Sequence, residues 1–164
     1  MKFGGIDPGK HGGIGLITKS KTAITISIQK IPQKNFRLHV PEFVEWININ
    51  KPDVIGIEEL GCYALNSRIS IQTAAIAWGK MISLIEHLKV PYQIYKPKAW
   101  HSLVNVSQDH RDIKDRTIAR AKELYPQVDL IPKGSRNDQD GLADALLIAH
   151  ATMTQYIGNL SYGT

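Results

Sequence analysis

The pattern of apolar and polar positions predicts strands at the start of the chain. Residues 2–7 (KFGGID) form an apolar run that ends in one acid, and a Pro-Gly turn, paired glycines and a second apolar run follow. Residues 22–30 (TAITISIQK) alternate polar and apolar side chains, which is typical of a half-buried strand. We therefore expect a β-hairpin and a third strand, giving three successive antiparallel strands.

Helices and strands alternate in the next part of the pattern. Apolar side chains at helical spacing predict a first helix over residues 37–50, after a loop at residues 32–35. The apolar run at residues 54–57 ends in two adjacent acids and is typical of a strand that is covered on both faces. A long helix is predicted over residues 66–88 and a fifth strand over residues 90–95.

Three helical segments are predicted in the remainder of the chain. They are a short segment that opens after Lys96, a basic helix over residues 113–125, and a last helix that begins near Asp138. The predicted fold class is α/β, with a five-stranded mixed sheet (three antiparallel strands, then parallel ones) flanked by helices. Residues 1–164 are expected to form a single domain, because this length suits one hydrophobic core.

The predicted helix over residues 66–88 is apolar nearly all round. Trp78, Met81, Ile85 and Leu88 form one stripe, and small residues form another face. One side is expected to cover the sheet. The other side is either a subunit interface or buried within the monomer, and the pattern leaves both open.

Composition places the chain among ordinary globular proteins. The 164 residues are 43% hydrophobic and 21% charged, and a single cysteine excludes an internal disulfide framework. We see no secretory or membrane-spanning segment, so no membrane partner is expected. The expected location is the cytoplasm, which would be that of a bacterial host if a phage encodes the protein.

Positive charge is concentrated in one part of the chain. The net charge is +5, and residues 89–122 alone hold eight basic residues against three acids. A localised basic surface favours a polyanionic partner such as nucleic acid. The alternative is a solvated basic face without a partner.

Two acids are predicted to lie where buried strands end. Asp7 follows the first apolar run and Glu58 ends the fourth. Because side chains alternate along a strand, Glu59 is expected to face away from Glu58, so we take Glu58 as the partner of Asp7. Asp7 by itself is equally explained as a turn-capping residue.

The last predicted helix carries further acids. Asp140 and Asp144 are four residues apart and share one helix face, which continues into apolar residues expected to pack inward. The helix dipole accounts for Asp138 and Asp140 but poorly for Asp144. Asp7, Glu58, Asp140 and Asp144 are therefore a candidate ligand set for Mg²⁺ or Mn²⁺. Four carboxylates and a basic surface suit two-metal hydrolysis of phosphodiesters.

Three acidic motifs resemble those of the RuvC-type Holliday-junction resolvases of the ribonuclease H-like superfamily. They are Ile6-Asp7-Pro8-Gly9, Ile57-Glu58-Glu59 and the stretch from Asp140 to Ala149 (DGLADALLIA). The resemblance covers nearly the whole chain and is nearest to the RuvC-like enzymes of bacteriophages.

The resemblance implies a function and a site. It implies a homodimer that binds four-way DNA junctions and cuts opposed strands symmetrically, leaving 5′-phosphate and 3′-hydroxyl ends. It implies two Mg²⁺ per active site, for which Mn²⁺ can substitute. The implied catalytic residues are Asp7, Glu58, Asp140, Asp144 and Lys114, and the four acids would be the metal ligands. The predicted DNA-binding residues are Lys96, Lys98, Tyr63, Arg111, Lys114 and Arg136.

Several of these assignments have an alternative. The bacterial enzymes space the last two acids three residues apart, whereas Gly141 occupies that position here, so either Asp140 or Asp138 completes the set. Lys98 and Lys114 are otherwise solvated or bind only the DNA backbone. Tyr63 either stacks on an opened base or packs in the protein.

Other functions also fit parts of the pattern. The Asp7-Pro8-Gly9 and Gly12-Gly13 turn is similar to the phosphate loop of sugar kinases and actin-like ATPases, but those need two such domains and a second loop. A broader branched-DNA or flap nuclease is the main alternative. A non-catalytic junction-binding protein is the third, and the acids argue against it.

Overall fold

A computed structural model of the chain describes residues 1–35, 37–61, 68–108, 112–131 and 139–161. The strands are β1 (Lys2–Ile6), β2 (Gly13–Lys19), β3 (Ile24–Lys30), β4 (Gln33–Lys34), β5 (Arg37–Leu38), β6 (Val54–Glu58) and β7 (Tyr92–Tyr95). The helices are α1 (Val40–Asn50), α2 (Arg68–His87), α3 (Pro97–Leu103), α4 (Ile113–Leu124) and α5 (Asp140–Ser161).

Five strands form one mixed sheet in the order β3-β2-β1-β6-β7. The pairs β1–β2 and β2–β3 are antiparallel, while β6 runs parallel to β1 and β7 runs parallel to β6. This confirms the predicted α/β fold with three antiparallel strands followed by parallel ones. Parallel pairing places the carboxyl ends of β1, β6 and β7 at one edge of the sheet.

Each face of the sheet is covered by helices, and the alternation of side chains separates two cores. On one face, Phe3 and Val54 pack with apolar residues of α3, α4 and α5. On the other, Ile6, Ile55 and Ile57 pack with apolar residues of α1 and α2. Trp46 of α1 is 6% exposed and belongs to this second core.

The segment before α1 differs from its prediction. Arg37 and Leu38 were expected in the helix, but they form β5, which pairs with β4 in a small antiparallel hairpin. The helix begins only at Val40, where Pro41 suits its first turn. The helical spacing of Val40, Phe43 and Ile47 predicted the helix correctly. Strands of two residues are too short to show a periodic pattern, so β4 and β5 were not predicted. We call residues 33–38 the β4–β5 hairpin, of which Phe36 is not described.

Helix α2 is buried on one face only. Met81 and Ile85 are buried in the second core, while Ile76 on another face is 53% exposed. The alternative of full burial within the monomer is therefore wrong for the described part of this helix. None of the described helices is long and apolar enough to cross a membrane.

Candidate active site

Asp7 lies at the carboxyl end of β1, at the start of the turn that leads into β2. Its carboxylate accepts a hydrogen bond from the backbone N–H of Gly9 (2.9 Å), and its own N–H donates to the carbonyl of Gly13 (3.1 Å). A side chain at Gly12 would meet the Asp7 carbonyl at 2.0 Å. Residue 12 must therefore be a glycine, because the turn brings its backbone against that of Asp7. This tight turn fixes the direction of the Asp7 side chain.

Glu58 lies beside Asp7 because β1 and β6 are in parallel register. Ile6 pairs with Ile57, so the next residue of each strand is an acid. Both acids continue the side of the sheet that faces α5, since side chains at Gly5 and Gly56 would point into that helix. The indole N–H of Trp78 donates to the Glu58 carbonyl (3.0 Å) and ties α2 to this strand end.

Helix α5 brings the two remaining acids to the same edge of the sheet. It packs directly on glycines, since a side chain at Gly5 would meet the backbone of Ala145 and Ala149 at 2.2 Å. Asp140 is the first residue of α5, and Asp144 lies one turn later. The four predicted acids therefore converge from three elements.

The structure explains why a glycine replaces an acid at residue 141. A side chain there would meet the His11 carbonyl at 2.2 Å, where the start of α5 contacts the β1–β2 turn. A carboxylate cannot be placed at this position without moving one of the two backbones. Asp140 instead lies on the face that includes Asp144, whereas Asp138 lies outside the described residues.

Burial and mutual repulsion weaken the acidity of three of these carboxyls. Burial raises the pKa of Asp7 to about 6, with a further increase from Asp140, against the Gly9 hydrogen bond and Lys114, which lower it. Burial and the charge of Asp7 raise the pKa of Glu58 to about 7. The pKa of Asp144 lies well above its usual value, because the carboxyl is buried and faces the charges of Asp7, Glu58 and Asp140. Such a cluster of negative charge favours a bound cation.

Lys114 of α4 supplies one positive charge to this cluster. Its Nζ lies 2.8 Å from Oδ2 of Asp140, and its side chain is 66% exposed. The hydrogen bond and the charge of Asp140 raise the pKa of Lys114. The structure thus brings Lys114 to the predicted site, where it contacts an acid directly.

The four carboxylates are the type of ligand that a hard metal ion prefers, but they do not surround a single point in the structure. Oδ1 of Asp144 is buried and has no hydrogen-bonding partner, which is the state expected of a metal ligand without its ion. All four donors are carboxylates, the ligands that Mg²⁺ and Mn²⁺ prefer. Within the described residues, however, no three His, Cys, Asp or Glu side chains are close enough together to hold an ion. Mutual repulsion and the ion pair of Asp140 with Lys114 favour this separation.

A cleft of about 540 Å³ opens beside Asp7 and Glu58. Its walls come from the β1–β2 turn, the β4–β5 hairpin and α2. Glu59 also lines this cleft, and the expectation that its side chain faces away from Glu58 stays a prediction.

The predicted DNA-binding residues are only partly described. Lys96 precedes α3 and Lys98 lies in its first turn, and both are exposed. They follow β7, which ends at the same edge of the sheet as Glu58. The predictions for Tyr63, Arg111 and Arg136 fall outside the described residues.

Sequence reasoning missed two side chains that contact the acids. The indole N–H of buried Trp100 lies close enough to Glu58 to favour its charged form, although it makes no regular hydrogen bond. The Thr117 hydroxyl acts on Asp144 in the same direction. Both contacts join residues far apart in the chain, so no local sequence signal announces them.

Comparison with known proteins gives structural relatives only. No protein-family model and no curated protein matches this chain. Among solved structures, Thermus thermophilus RuvC is 19% identical, with a TM-score of 0.69 and 97% of each chain covered. RuvC of the same species in complex with a Holliday junction substrate is 16% identical, with a TM-score of 0.67 and 96% of each chain covered.

A third relative comes from a eukaryote. The yeast mitochondrial Holliday junction resolvase Ydc2 is 16% identical, with a TM-score of 0.66, and the match covers 97% of this chain and 80% of that one. These identities are low, so the likeness is one of fold. The chain has the ribonuclease H-like fold of RuvC and other Holliday junction resolvases.

Proposed function

We propose that this protein is a metal-dependent endodeoxyribonuclease that resolves four-way DNA junctions, with residues 1–164 acting as one nuclease domain. The observation that carries the proposal is the convergence of Asp7, Glu58 and Asp144 at one sheet edge, in a fold shared with Holliday junction resolvases. Three interacting carboxyls that are each costly to ionise have no evident role in folding.

Asp7, Glu58, Asp140 and Asp144 would hold two Mg²⁺ ions, for which Mn²⁺ would substitute. When bound, such ions activate a water and stabilise the leaving oxygen of a phosphodiester. The chain supplies the arrangement: the Gly9 N–H orients the Asp7 carboxylate, and the Trp100 indole favours ionised Glu58. Binding of cations would also satisfy the unpaired Oδ1 of Asp144.

The basic residues beside the acids would bind and orient the DNA. Lys114 lies 2.8 Å from Asp140, and its raised pKa keeps it charged at physiological pH, which supports a contact between Lys114 and the phosphate to be cut. Lys96 and Lys98 on the exposed start of α3 would contact neighbouring phosphates. We extend the same proposal to Arg111 and Arg136, and to stacking of Tyr63 on a base.

Paired cutting requires two active sites, so we propose a homodimer. One active site can cut only one strand at a time. Resolution of a four-way junction into two intact duplexes needs symmetric cuts in two opposed strands. The exposed face of α2, which includes Ile76, is a candidate for the subunit interface. The products would carry 5′-phosphate and 3′-hydroxyl ends.

A panel of synthetic substrates tests the proposal. The purified protein is incubated with Mg²⁺ or Mn²⁺ and four-way, three-way, flap or linear DNA, with each strand labelled in turn. We expect symmetric paired nicks in the four-way junction alone. Single nicks in all branched substrates would instead indicate a broader branched-DNA or flap nuclease.

A non-catalytic junction-binding protein is a second candidate, favoured by one observation. The acids among the described residues are not gathered closely enough to hold an ion. This candidate predicts tight junction binding with no cleavage in either metal and no change in melting temperature when Mg²⁺ is added. The proposed nuclease predicts cleavage and a melting temperature that rises with Mg²⁺, because the cation relieves repulsion among the acids.

A further inference from the structure

A second basic segment lies at the start of the chain, away from the basic residues of α3 and α4. Residues 8–41 contain six lysines and arginines and no acid. These six residues lie at two opposite ends of the sheet. The turn that joins β2 to β3 is at the end far from Asp7, and the chain returns along β3 to the end near Asp7. Lys19 and Lys21 lie at that far end, whereas Lys10, Lys30, Lys34 and Arg37 lie near Asp7.

The β4–β5 hairpin places two of these cations side by side. Lys34 and Arg37 are directly opposite each other in the register of β4 and β5, and both are exposed. Asn35, between them, adopts a φ of 53° and makes the reversal. Like charges in this position destabilise a hairpin. Among the described residues, no acid forms an ion pair with either cation, and the Glu42 carboxylate lies 2.8 Å from Nδ1 of His39.

Hydrogen bonds fix the hairpin beside the candidate active site. The side chain of Gln33 donates to the carbonyl of Lys10 (3.1 Å), and the N–H of Ile31 donates to the carbonyl of Gly12 (3.2 Å). Both acceptors belong to the turn that positions Asp7. The N–H of His39 closes the base of the hairpin on the Pro32 carbonyl (2.9 Å).

The hairpin and the basic residues of α3 and α4 lie on opposite faces of the sheet. Leu38 of the hairpin packs with the core under α1 and α2, whereas α3 and α4 pack on the face covered by α5. Gln33 and Leu38 line the same cleft as Asp7 and Glu58. Cations therefore approach the acidic edge of the sheet from both sides.

We propose that the β4–β5 hairpin binds the phosphate backbone of a DNA arm, through Lys34 and Arg37 with support from Lys10 and Lys30. The inference rests on the proposed function, because DNA is the polyanion that the site would act on. A phosphate between Lys34 and Arg37 would remove the repulsion that their register imposes. DNA leaving the active site would then be held on both faces of the sheet.

The test compares two double variants that remove the same charge. The first variant, Lys34→Gln with Arg37→Gln, changes the hairpin. The second, Lys19→Gln with Lys21→Gln, changes the far end of the sheet. All four side chains are exposed in the wild-type protein. Affinity for a labelled four-way junction is measured by fluorescence anisotropy over a range of salt concentrations, without divalent metal. Each lost phosphate contact lowers the slope of log affinity against log salt by about 0.9. We expect a slope smaller by about 1.8 for the hairpin variant and an unchanged slope for its control.

Two outcomes would overturn the inference. One is a wild-type slope for the hairpin variant at an unchanged melting temperature. The other is an equal loss in both double variants, which would indicate attraction by overall charge alone. If the hairpin variant melts at a lower temperature, the single variants Lys34→Gln and Arg37→Gln take its place, each with an expected slope smaller by about 0.9 and with a wild-type slope in both again overturning the inference. Because cleavage plays no part in the measurement, a protein that binds but never cuts would refute the proposed nuclease and leave this test intact.

Discussion

At the scale of single residues, the Asp144 carboxylate is the group whose position is hardest to explain by folding. Its Oδ1 atom is buried without a partner, and three other carboxyls act on it. An unsatisfied buried polar atom costs about 1–3 kcal/mol. The fold would be more stable with an apolar or amide side chain at residue 144, and the proposed metal site accounts for the carboxylate.

Replacing Asp144 by asparagine should therefore stabilise the metal-free protein. We expect Asp144→Asn to raise the free energy of unfolding by about 1–3 kcal/mol at pH 8 in EDTA, because repulsion with Asp7 and Glu58 is lost. Urea unfolding measures the change. Glu45→Gln, an exposed charge removal on α1, is the control and should have little effect. A destabilised Asp144→Asn would mean that the carboxylate supports the fold.

At the scale of elements, the contact of α5 with β1 determines where the acids meet. Gly5 allows the two backbones to touch, and Gly13 and Gly141 allow the start of α5 to reach the β1–β2 turn. Any side chain at Gly5 would push α5 away from the sheet. Asp140 and Asp144 would then move away from Asp7 and Glu58.

A substitution at Gly5 tests this contact. We expect Gly5→Ala to destabilise the protein by about 1–3 kcal/mol or more, since the added methyl meets backbone atoms that cannot move alone. Gly158→Ala is the matched control, because a methyl there meets nothing within 4 Å and favours the helix. Thermal unfolding and junction cleavage are measured for both. Equal stability of the two variants would show that the contact is not as close as described.

The elements also show how far sequence reasoning reaches. Periodicity predicted the order of the strands and helices. The acids at residues 7, 58, 140 and 144 were expected at one site, and they lie at one edge of the sheet without surrounding a single point. The β4–β5 hairpin was missed because two-residue strands carry no periodic signal. The ion pair of Lys114 with Asp140 and the approach of Trp100 to Glu58 depend on packing between distant segments, which no local pattern encodes. The expected nearness to bacteriophage enzymes stays a prediction.

At the scale of the whole molecule, the acidic cluster should make stability depend on pH. The pKa of Asp7 is about 6 and that of Glu58 about 7 in the folded protein, whereas the ordinary pKa values of these side chains are 3.8 and 4.5. At a pH between the ordinary and the raised pKa values, these two carboxyls hold more protons in the folded protein than in the unfolded chain. The free energy of unfolding must therefore fall as the pH rises from about 4 to about 7.

Comparison with a double variant isolates this dependence. Asp7→Asn with Glu58→Gln removes both titrations, so the difference in unfolding free energy between variant and wild type should grow as the pH rises through this range in EDTA. Histidines contribute equally to both proteins and cancel in the difference. Urea unfolding at pH 4.5 and at pH 7.5 is sufficient. A constant difference would show that these carboxyls ionise in the folded protein as they do in the unfolded chain.

The most direct test of the central claim is cleavage of a four-way junction by the wild-type protein and by Asp7→Asn in Mg²⁺. Asp7 is central to the acidic cluster, and its replacement removes a proposed metal ligand while leaving every basic side chain in place. We predict paired cuts by the wild-type protein and by Glu45→Gln, and no cuts by Asp7→Asn, with junction affinity retained in all three. Binding without cleavage by the wild-type protein in Mg²⁺ and Mn²⁺, or cleavage by Asp7→Asn at the wild-type rate, would contradict the account.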